Sequence, residues 1–389
     1  MADETLMAEL RDTVEQLAPI GRLPCSVGER EAAQIIAARF NGLGCSAVVE
    51  DEAAFGSYAW PVGVMTGLSS LVGVVKDRRV LGLVFGAVAA AGIADEISLG
   101  RQTVRRAFSP RRTTTNVVAE TGDPAATRTL VVMAHHDAAP TGAIFDQTLE
   151  RWLAGKFPQV VERMSENPPL WWAVVGGPAL VAAGSATGSR GLRRAGAVVS
   201  LLTTAAVADI GSRPAVPGAN DNLSGVAVLL AVAPALASLK GLRVILLSAG
   251  AEEALQQGAR GFARRHFPAL AKESTWFLNL DTVGSGHLVL LDAEGPLRME
   301  PYDVGFGDLI AECASAAGVS VTRGLRSRNS TDGVVPNRHG YRSASLVSVD
   351  DQKLLPHYHL PSDTPEHVDY SCVADTVRLT ESVARALAS

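Results

Sequence analysis

Apolar positions recur with a helical period over residues 4–18. Ser26 with Glu29 forms a capping box, which predicts a helix running to about Asn41 and stopping at "GLG". "SAVVE" follows as a short strand. Farther on, "TLVVMA", "RVILLSA" and "WFLNL" are unbroken apolar runs of strand length. Runs without polar alternation predict strands covered on both faces. "SGVAVLLAVAPALASL" and "FGDLIAECASAAG" read as helices between them. The resulting order predicts an α/β fold with a mixed, mostly parallel central sheet flanked by helices.

Two regions depart from this pattern. No charged residue occurs from Ala53 to Val75; "KDRR" follows, and then a second uncharged run from Val80 to Ala94. The layout repeats from Pro168 to Ser189, through "RGLRR", to Ala195–Ala208. Each unit reads as an apolar helical hairpin with a tight basic loop, its first helix near 20 residues and its return near 15. Tyr58 and Trp60 stand at the start of one, Trp171 and Trp172 at the start of the other, as at an interfacial belt. The two hairpins are expected to pack as one four-helix unit. The predicted organisation is a catalytic domain over 1–52 and 113–389, with inserted hairpins at 53–100 and 166–212. Membrane association through the hairpins is the leading expectation. A soluble bundle or dimerisation surface in a cytoplasmic protein is the alternative.

The composition is consistent with that location of apolar residues: mean hydropathy is +0.17, with 19% charged residues. A net charge of −5 gives no electrostatic footing for nucleic acid. "GRQTVRRAFSPRR" is the one strongly basic stretch and reads as an exposed loop. The four cysteines lack C-x-x-C spacing and read as reduced, buried thiols, with a Cys25–Cys45 bridge as the alternative. The charged opening "MADETLMAELRDTVEQL" predicts no cleavable signal peptide.

Candidate chemistry gathers at strand ends. "TLVVMA" runs into His135, His136 and Asp137; "RVILLSAGA" runs into Glu252 and Glu253; "WFLNL" runs into Asp281. Asp221 in "PGANDNLSG" precedes a buried helix, and His359 lies in "HYHLPSDTPEH". Ligands of open α/β sheets bind at the carboxyl ends of strands. Imidazole and carboxylate donors without cysteine suit catalytic zinc. Five such donors, one an aspartate able to bridge, suffice for two ions, with a further carboxylate as general base.

These motifs, in this order, resemble the co-catalytic di-zinc exopeptidases, a family that includes bacterial leucyl aminopeptidase and glutamate carboxypeptidase. The resemblance covers residues 115–385 well and 20–50 weakly, with both hairpins as insertions. It implies a zinc aminopeptidase-like fold and two Zn2+ per chain. "AHHDA" supplies His135 as a ligand and Asp137 as its catalytic orienting partner, His136 being a spacer. "GANDNLSG" supplies the bridging Asp221. "AEEALQQG" supplies Glu252 as general base and Glu253 as a ligand, "NLDTVG" supplies Asp281, and "YHLPSDT" supplies His359. The implied activity is metallo-exopeptidase, foremost aminopeptidase, acting on a peptide or amino-acid amide. The same site also suits a hydrolase of amidated or acylated amino acids, a single-zinc glutaminyl-cyclase-like transferase, or a non-catalytic receptor-like relative. Two departures stand out: 86 residues separate His135 from Asp221, and Gly333 follows Asp332 where the family often has histidine.

Overall fold

In the computed structural model, which describes residues 2–75 and 78–389, a mixed sheet of nine strands among the described residues organises the chain. The strands are β1 (Ser46–Ala54), β2 (Arg112–Gly122), β3 (Thr129–His135), β4 (Arg243–Ala249), β5 (Thr275–Leu280), β6 (His287–Glu294), β7 (Glu300–Pro301), β8 (Val321–Ser327) and β9 (Arg342–Val349). They lie in the order β1-β2-β4-β3-β5-β9-β6-β7, with β8 pairing β6. The central four, β4, β3, β5 and β9, are parallel; β1, β2, β6 and β7 join antiparallel.

The unbroken apolar runs form the centre because both faces are covered. Leu130, Val132 and Ala134 of β3 enter one core cluster, while Val131 and Met133 enter another on the opposite face. β4 divides likewise, Val244 and Leu246 against Ile245, Leu247 and Ala249. The larger cluster is covered by α1 (Ala2–Leu17), α2 (Val27–Gly42), α10 (Ser224–Ala237), α12 (Val304–Ala317) and α14 (Tyr370–Ala388). The smaller lies under α11 (Gln257–His266) and α13 (Val334–Arg338). Half of the capping box forms: the Glu29 amide donates to Ser26 Oγ at 3.1 Å, but the Glu29 carboxylate accepts the Cys25 amide, at 2.9 Å, in place of that of Ser26. All four cysteines are free.

The hairpins are α3 (Ala59–Val74) with α4 (Arg79–Ile97), and α8 (Leu170–Thr187) with α9 (Arg190–Ser212), the short helices α6 (Thr148–Lys156) and α7 (Pro158–Arg163) preceding the second. α3 packs on α9 and α4 on α8, so the four helices form one unit. Small residues permit the close approach. A Cβ on Gly86 would lie 2.8 Å from the Pro178 carbonyl oxygen, and one on Gly196 would lie 2.6 Å from that of Gly177. Tyr58 and Trp171 meet edge-to-face at 5.5 Å, which puts the two aromatic starts at the same end of the unit.

Two expectations need correction. The return helices are the longer partners, 19 and 23 residues against 16 and 18. The arginines assigned to loops lie inside them: Arg79 opens α4, Arg190 opens α9, and Ser189 Oγ accepts the Leu192 amide as a cap. Arg79 and Arg193 reach the Ser185 and Gly73 carbonyls near the ends of α8 and α3, where the helix dipole favours a cation. Lys76 and Asp77 of the first basic loop lie outside the described residues. Secondly, part of "GRQTVRRAFSPRR" is α5 (Thr103–Phe108), and its Arg105 is fully buried against Glu96 at 2.8 Å. Among the described residues, four helices are long and apolar enough to cross a membrane. Three are α4, α8 and α9, no more than a third buried. The fourth, Ala219–Ala237, is 83% buried in the core beside the sheet.

Candidate metal centre

The register of the parallel strands brings the strand-end residues together. His135 ends β3 opposite Ala249, the last residue of β4, and the loop after β4 carries Glu252 and Glu253. Asp281 follows β5 and donates its amide to the Leu346 carbonyl of β9 at 3.0 Å. Asp221 comes from the kinked turn Ala219–Leu223 ahead of α10, where its own backbone is not helical (φ −110°, ψ 86°), and His359 from the loop after β9.

The donor atoms converge. His135 Nε2 lies 3.2 Å from Asp221 Oδ1 and 3.9 Å from Asp281 Oδ2. His359 Nε2 lies 3.2 Å from Asp221 Oδ2 and 3.1 Å from Glu253 Oε1. Three groups have ligand atoms within 4.8 Å of one another: His135–Asp221–Asp281, Asp221–Glu253–His359 and His135–Glu252–Glu253. The first two share Asp221, one oxygen toward each histidine. His135 Nε2, His359 Nε2 and Asp221 Oδ2 are buried without a hydrogen-bond partner. Unpartnered, buried imidazole nitrogens aimed at carboxylates are what a cation with nitrogen and oxygen ligands fits.

The surrounding residues hold this set in place. His135 Nδ1 lies 3.2 Å from the Asp137 carbonyl oxygen and 3.4 Å from its carboxylate, which turns Nε2 toward Asp221. The same Asp137 carboxylate accepts the Glu252 and Glu253 amides at 2.9 and 3.0 Å, tying β3 to the β4 loop. That loop is strained: Ala251, Leu255 and Gln256 all have φ between 49° and 68°. Glu252 Oε1 accepts from Gln256 Nε2 at 2.8 Å. His136 turns away, its Nδ1 2.9 Å from Ser248 Oγ, and burial pulls it down to about 4, a neutral core histidine.

The sequence reading missed several supports. Asp363 accepts the Asn220 and Asp221 amides at 2.8 and 3.1 Å, fixing the turn that presents Asp221. Asn220 Oδ1 accepts the Gly284 amide, and Asn222 Oδ1 accepts the Thr282 amide, so both neighbours of Asp221 are stitched to the Asp281 loop. Fully buried Arg22 donates to the His136, Pro217 and Gly218 carbonyls, joining the β3 end to the Asp221 turn. The signal was present in "AND" and "PSD", but an asparagine or aspartate beside a ligand reads as loop composition until its partner is known.

Carboxylates crowd the site. Burial, with Asp221 and Glu253 nearby, raises Asp281 to about 7 against the pull of His135. Burial likewise lifts Glu252 well above the usual carboxylate range, Glu253, Asp332 and Asp281 adding to it and His135 opposing. Asp332 is raised to about 8 and has both oxygens buried without a partner. Burial opposes protonation of His359, yet Glu253 and Asp221 raise it to about 10. A dication bound among them would offset that excess of negative charge.

The sheet topology and this ligand cluster define the architecture of a zinc aminopeptidase-type fold. Residues 204–384 match Peptidase family M28. Aminopeptidase YwaD of Bacillus subtilis is 29% identical over 163 residues, 40% of this chain and 35% of that protein, so the match spans about a third of the relative. Among solved structures, a leucine aminopeptidase precursor from Bacteroides thetaiotaomicron aligns over 97% of this chain and 96% of its own at TM-score 0.58 and 13% identity. BSAP, a zinc aminopeptidase from Bacillus subtilis, aligns over 97% and 94% at 0.55 and 14%. A Bacteroides thetaiotaomicron glutaminyl cyclase aligns over 97% and 97% at 0.57 and 13%. At those identities the structural likeness is one of fold. Together with the sequence matches it supports a co-catalytic zinc exopeptidase family, in line with the motifs.

Proposed function

We propose that this chain is a zinc metallo-exopeptidase of the aminopeptidase type, held at a membrane by its four-helix unit. The observation that carries the reading is the sharing of Asp221 between two ligand groups, His135–Asp221–Asp281 and Asp221–Glu253–His359. His135 with Asp281 would hold one zinc and His359 with Glu253 the other, Asp221 offering one oxygen to each group. Bound zinc supplies a Lewis acid for the scissile carbonyl and a water of lowered pKa. Glu252, with no metal role in this assignment, takes the water proton and delivers it to the leaving amine. Gln256 keeps the Glu252 carboxylate in place by its 2.8 Å hydrogen bond. Asp137 orients His135 and anchors the Glu252–Glu253 amides, so it couples ligand and base through one carboxylate. Retention of every ligand and of the base argues against a receptor-like relative.

The membrane reading rests on the exposed faces of the helices. Trp60, Leu71 and Val74 of α3, and Val80 and Val88 of α4, are 60–73% exposed, and Leu201 and Leu202 of α9 are 58% and 65% exposed. A soluble monomer rarely presents so continuous an apolar surface. Two assays on the expressed chain test the proposal: release of the amino acid from aminoacyl amides before and after chelation and zinc restoration, and partition between soluble and membrane fractions. Zinc-dependent turnover in the membrane fraction is expected. Absence of zinc-dependent turnover refutes the activity, and a monodisperse soluble species without detergent refutes the anchoring.

A further inference from the structure

Two apolar cavities meet at the candidate metal centre. One, about 430 Å3, is walled by Phe157, Val160 and Val349 together with Asp281 and Glu252. The other, about 600 Å3, lies against the four-helix unit; Trp171, Val174, Leu202 and Ile210 line it together with Glu253 and His359. Glu252, Glu253 and Tyr358 belong to both walls, so the centre sits at the junction. Both volumes are in the range of small-molecule sites.

The walls differ in charge. Among the described residues lining the larger cavity, the only ionisable acids and bases apart from two tyrosines are Glu252, Glu253 and His359. The smaller cavity carries Arg326 and Lys353 among six carboxylates, Glu150, Glu166, Asp221, Glu252, Glu253 and Asp281. Glu166 is shared between Arg326 and Arg328, 2.5 Å from each, and Lys353 Nζ donates only to the Glu162 and Met164 carbonyls. Arg326 is thus already paired, and Lys353 is the one cation among the described residues lining the smaller cavity that no carboxylate holds, with a third N–H left for an anion.

A peptide threaded along the larger cavity would bury an amide N–H and C=O at every residue against hydrocarbon, and each unpaired group is costly. An unbranched hydrocarbon chain has no such groups. The rim points the same way: Ile144, Leu170 and Leu202, at 53%, 50% and 65% exposure, line the cavity and are open to the surroundings. Leu170 and Leu202 belong to bundle helices, beside the aromatic end where Tyr58 meets Trp171. With the bundle in a bilayer, that rim lies at the lipid interface.

We propose that the site hydrolyses N-acyl amino acids bearing long, unbranched acyl chains, single-chain amphiphiles that reach it from the bilayer. The chain occupies the larger cavity, the amino-acid part the smaller one with its carboxylate at Lys353, and the amide lies at the junction. Water oxygen bonds to the acyl carbon, the C–N bond breaks, and the nitrogen takes its proton through Glu252, leaving a fatty carboxylate and a free amino acid. This rests on the zinc-dependent amide hydrolysis proposed above and puts a fatty acyl group where an aminopeptidase substrate has its N-terminal aminoacyl group.

The test uses the zinc-loaded full chain at fixed detergent concentration, with leucine amide as control and N-acetyl-, N-octanoyl- and N-dodecanoyl-leucine as the series. At about 0.8 kcal/mol per buried methylene, kcat/KM is expected to rise about fourfold per methylene until the cavity is filled. Ala173→Trp, at an exposed position on the cavity wall, and Ala206→Phe should flatten that dependence and leave leucine amide turnover unchanged. Lys353→Gln should raise KM for N-dodecanoyl-leucine without lowering kcat. Turnover of leucine amide with no hydrolysis of the acyl series, or with no dependence on chain length, overturns the proposal and leaves the peptidase reading standing. No turnover of either substrate overturns both.

Discussion

Replacing Glu252 by glutamine separates the base from the ligands more cleanly than any other substitution. The carboxylate accepts from Gln256 Nε2 through Oε1, and a glutamine carbonyl can accept the same bond, so the loop loses no contact there. The anchor of the loop is the Asp137 carboxylate on the Glu252 and Glu253 amides, which the side-chain change leaves alone. What disappears is a proton acceptor, because an amide cannot take up the water proton at neutral pH. General-base loss costs about 10²–10⁴ in rate, or roughly 3–5 kcal/mol of activation free energy at 1.36 kcal/mol per decade. Removing one of several crowded, buried carboxylates should also leave the metal-free fold at least as stable as before. The assay is kcat/KM on an aminoacyl amide beside zinc content by elemental analysis. Full zinc content with activity lowered at least a hundredfold is expected. Activity within tenfold of the parent at full zinc content would refute Glu252 as the base, and loss of zinc would make it a ligand, as in the group it forms with His135 and Glu253.

Glu253→Ala should lower zinc content rather than the rate per bound metal, because Glu253 is the carboxylate 3.1 Å from His359; elemental analysis and titration with zinc check this. Asp363→Asn presents an NH2 to one of two buried amides it now accepts, so a loss of about 1–3 kcal/mol in stability and a 10–100-fold weaker zinc affinity are expected by thermal melting and competition with a chelator. Glu294, accepting from the Thr331 amide and hydroxyl, is raised to about 8 by burial. It therefore holds its proton in the folded chain where the unfolded chain has lost it, so stability falls from about pH 4.5 to about pH 8, by about 1.4 kcal/mol per unit at most. Glu294→Gln keeps the acceptor and removes the titration, so its melting temperature should gain on the parent's between pH 5 and 8; a constant difference would contradict this.

The central strands were legible because both faces of them are buried, so apolar runs such as "TLVVMA" carry no competing periodicity. The convergence of the five candidate ligands was legible through their order along the chain and their places at strand ends. Helix boundaries in the hairpins were not, since an arginine at a helix start reads as loop until its stem is seen along a neighbouring helix, as with Arg79 against Ser185. Nor were the supports of the site. Asp363 acts 142 residues from Asp221 and Arg22 acts 114 from His136, and nothing local in either stretch marks such distant partners. The positive φ at Ala251, Leu255 and Gln256 was equally hidden, because none is a glycine.

The central claim is a pair of zinc ions sharing Asp221, and anomalous diffraction from crystals of the zinc-loaded chain at the zinc absorption edge tests it most directly. Two peaks are predicted, one bounded by His135, Asp221 and Asp281 and the other by Asp221, Glu253 and His359. A single peak in crystals of active enzyme, or a peak held by Glu252 in place of Asp221, would contradict it.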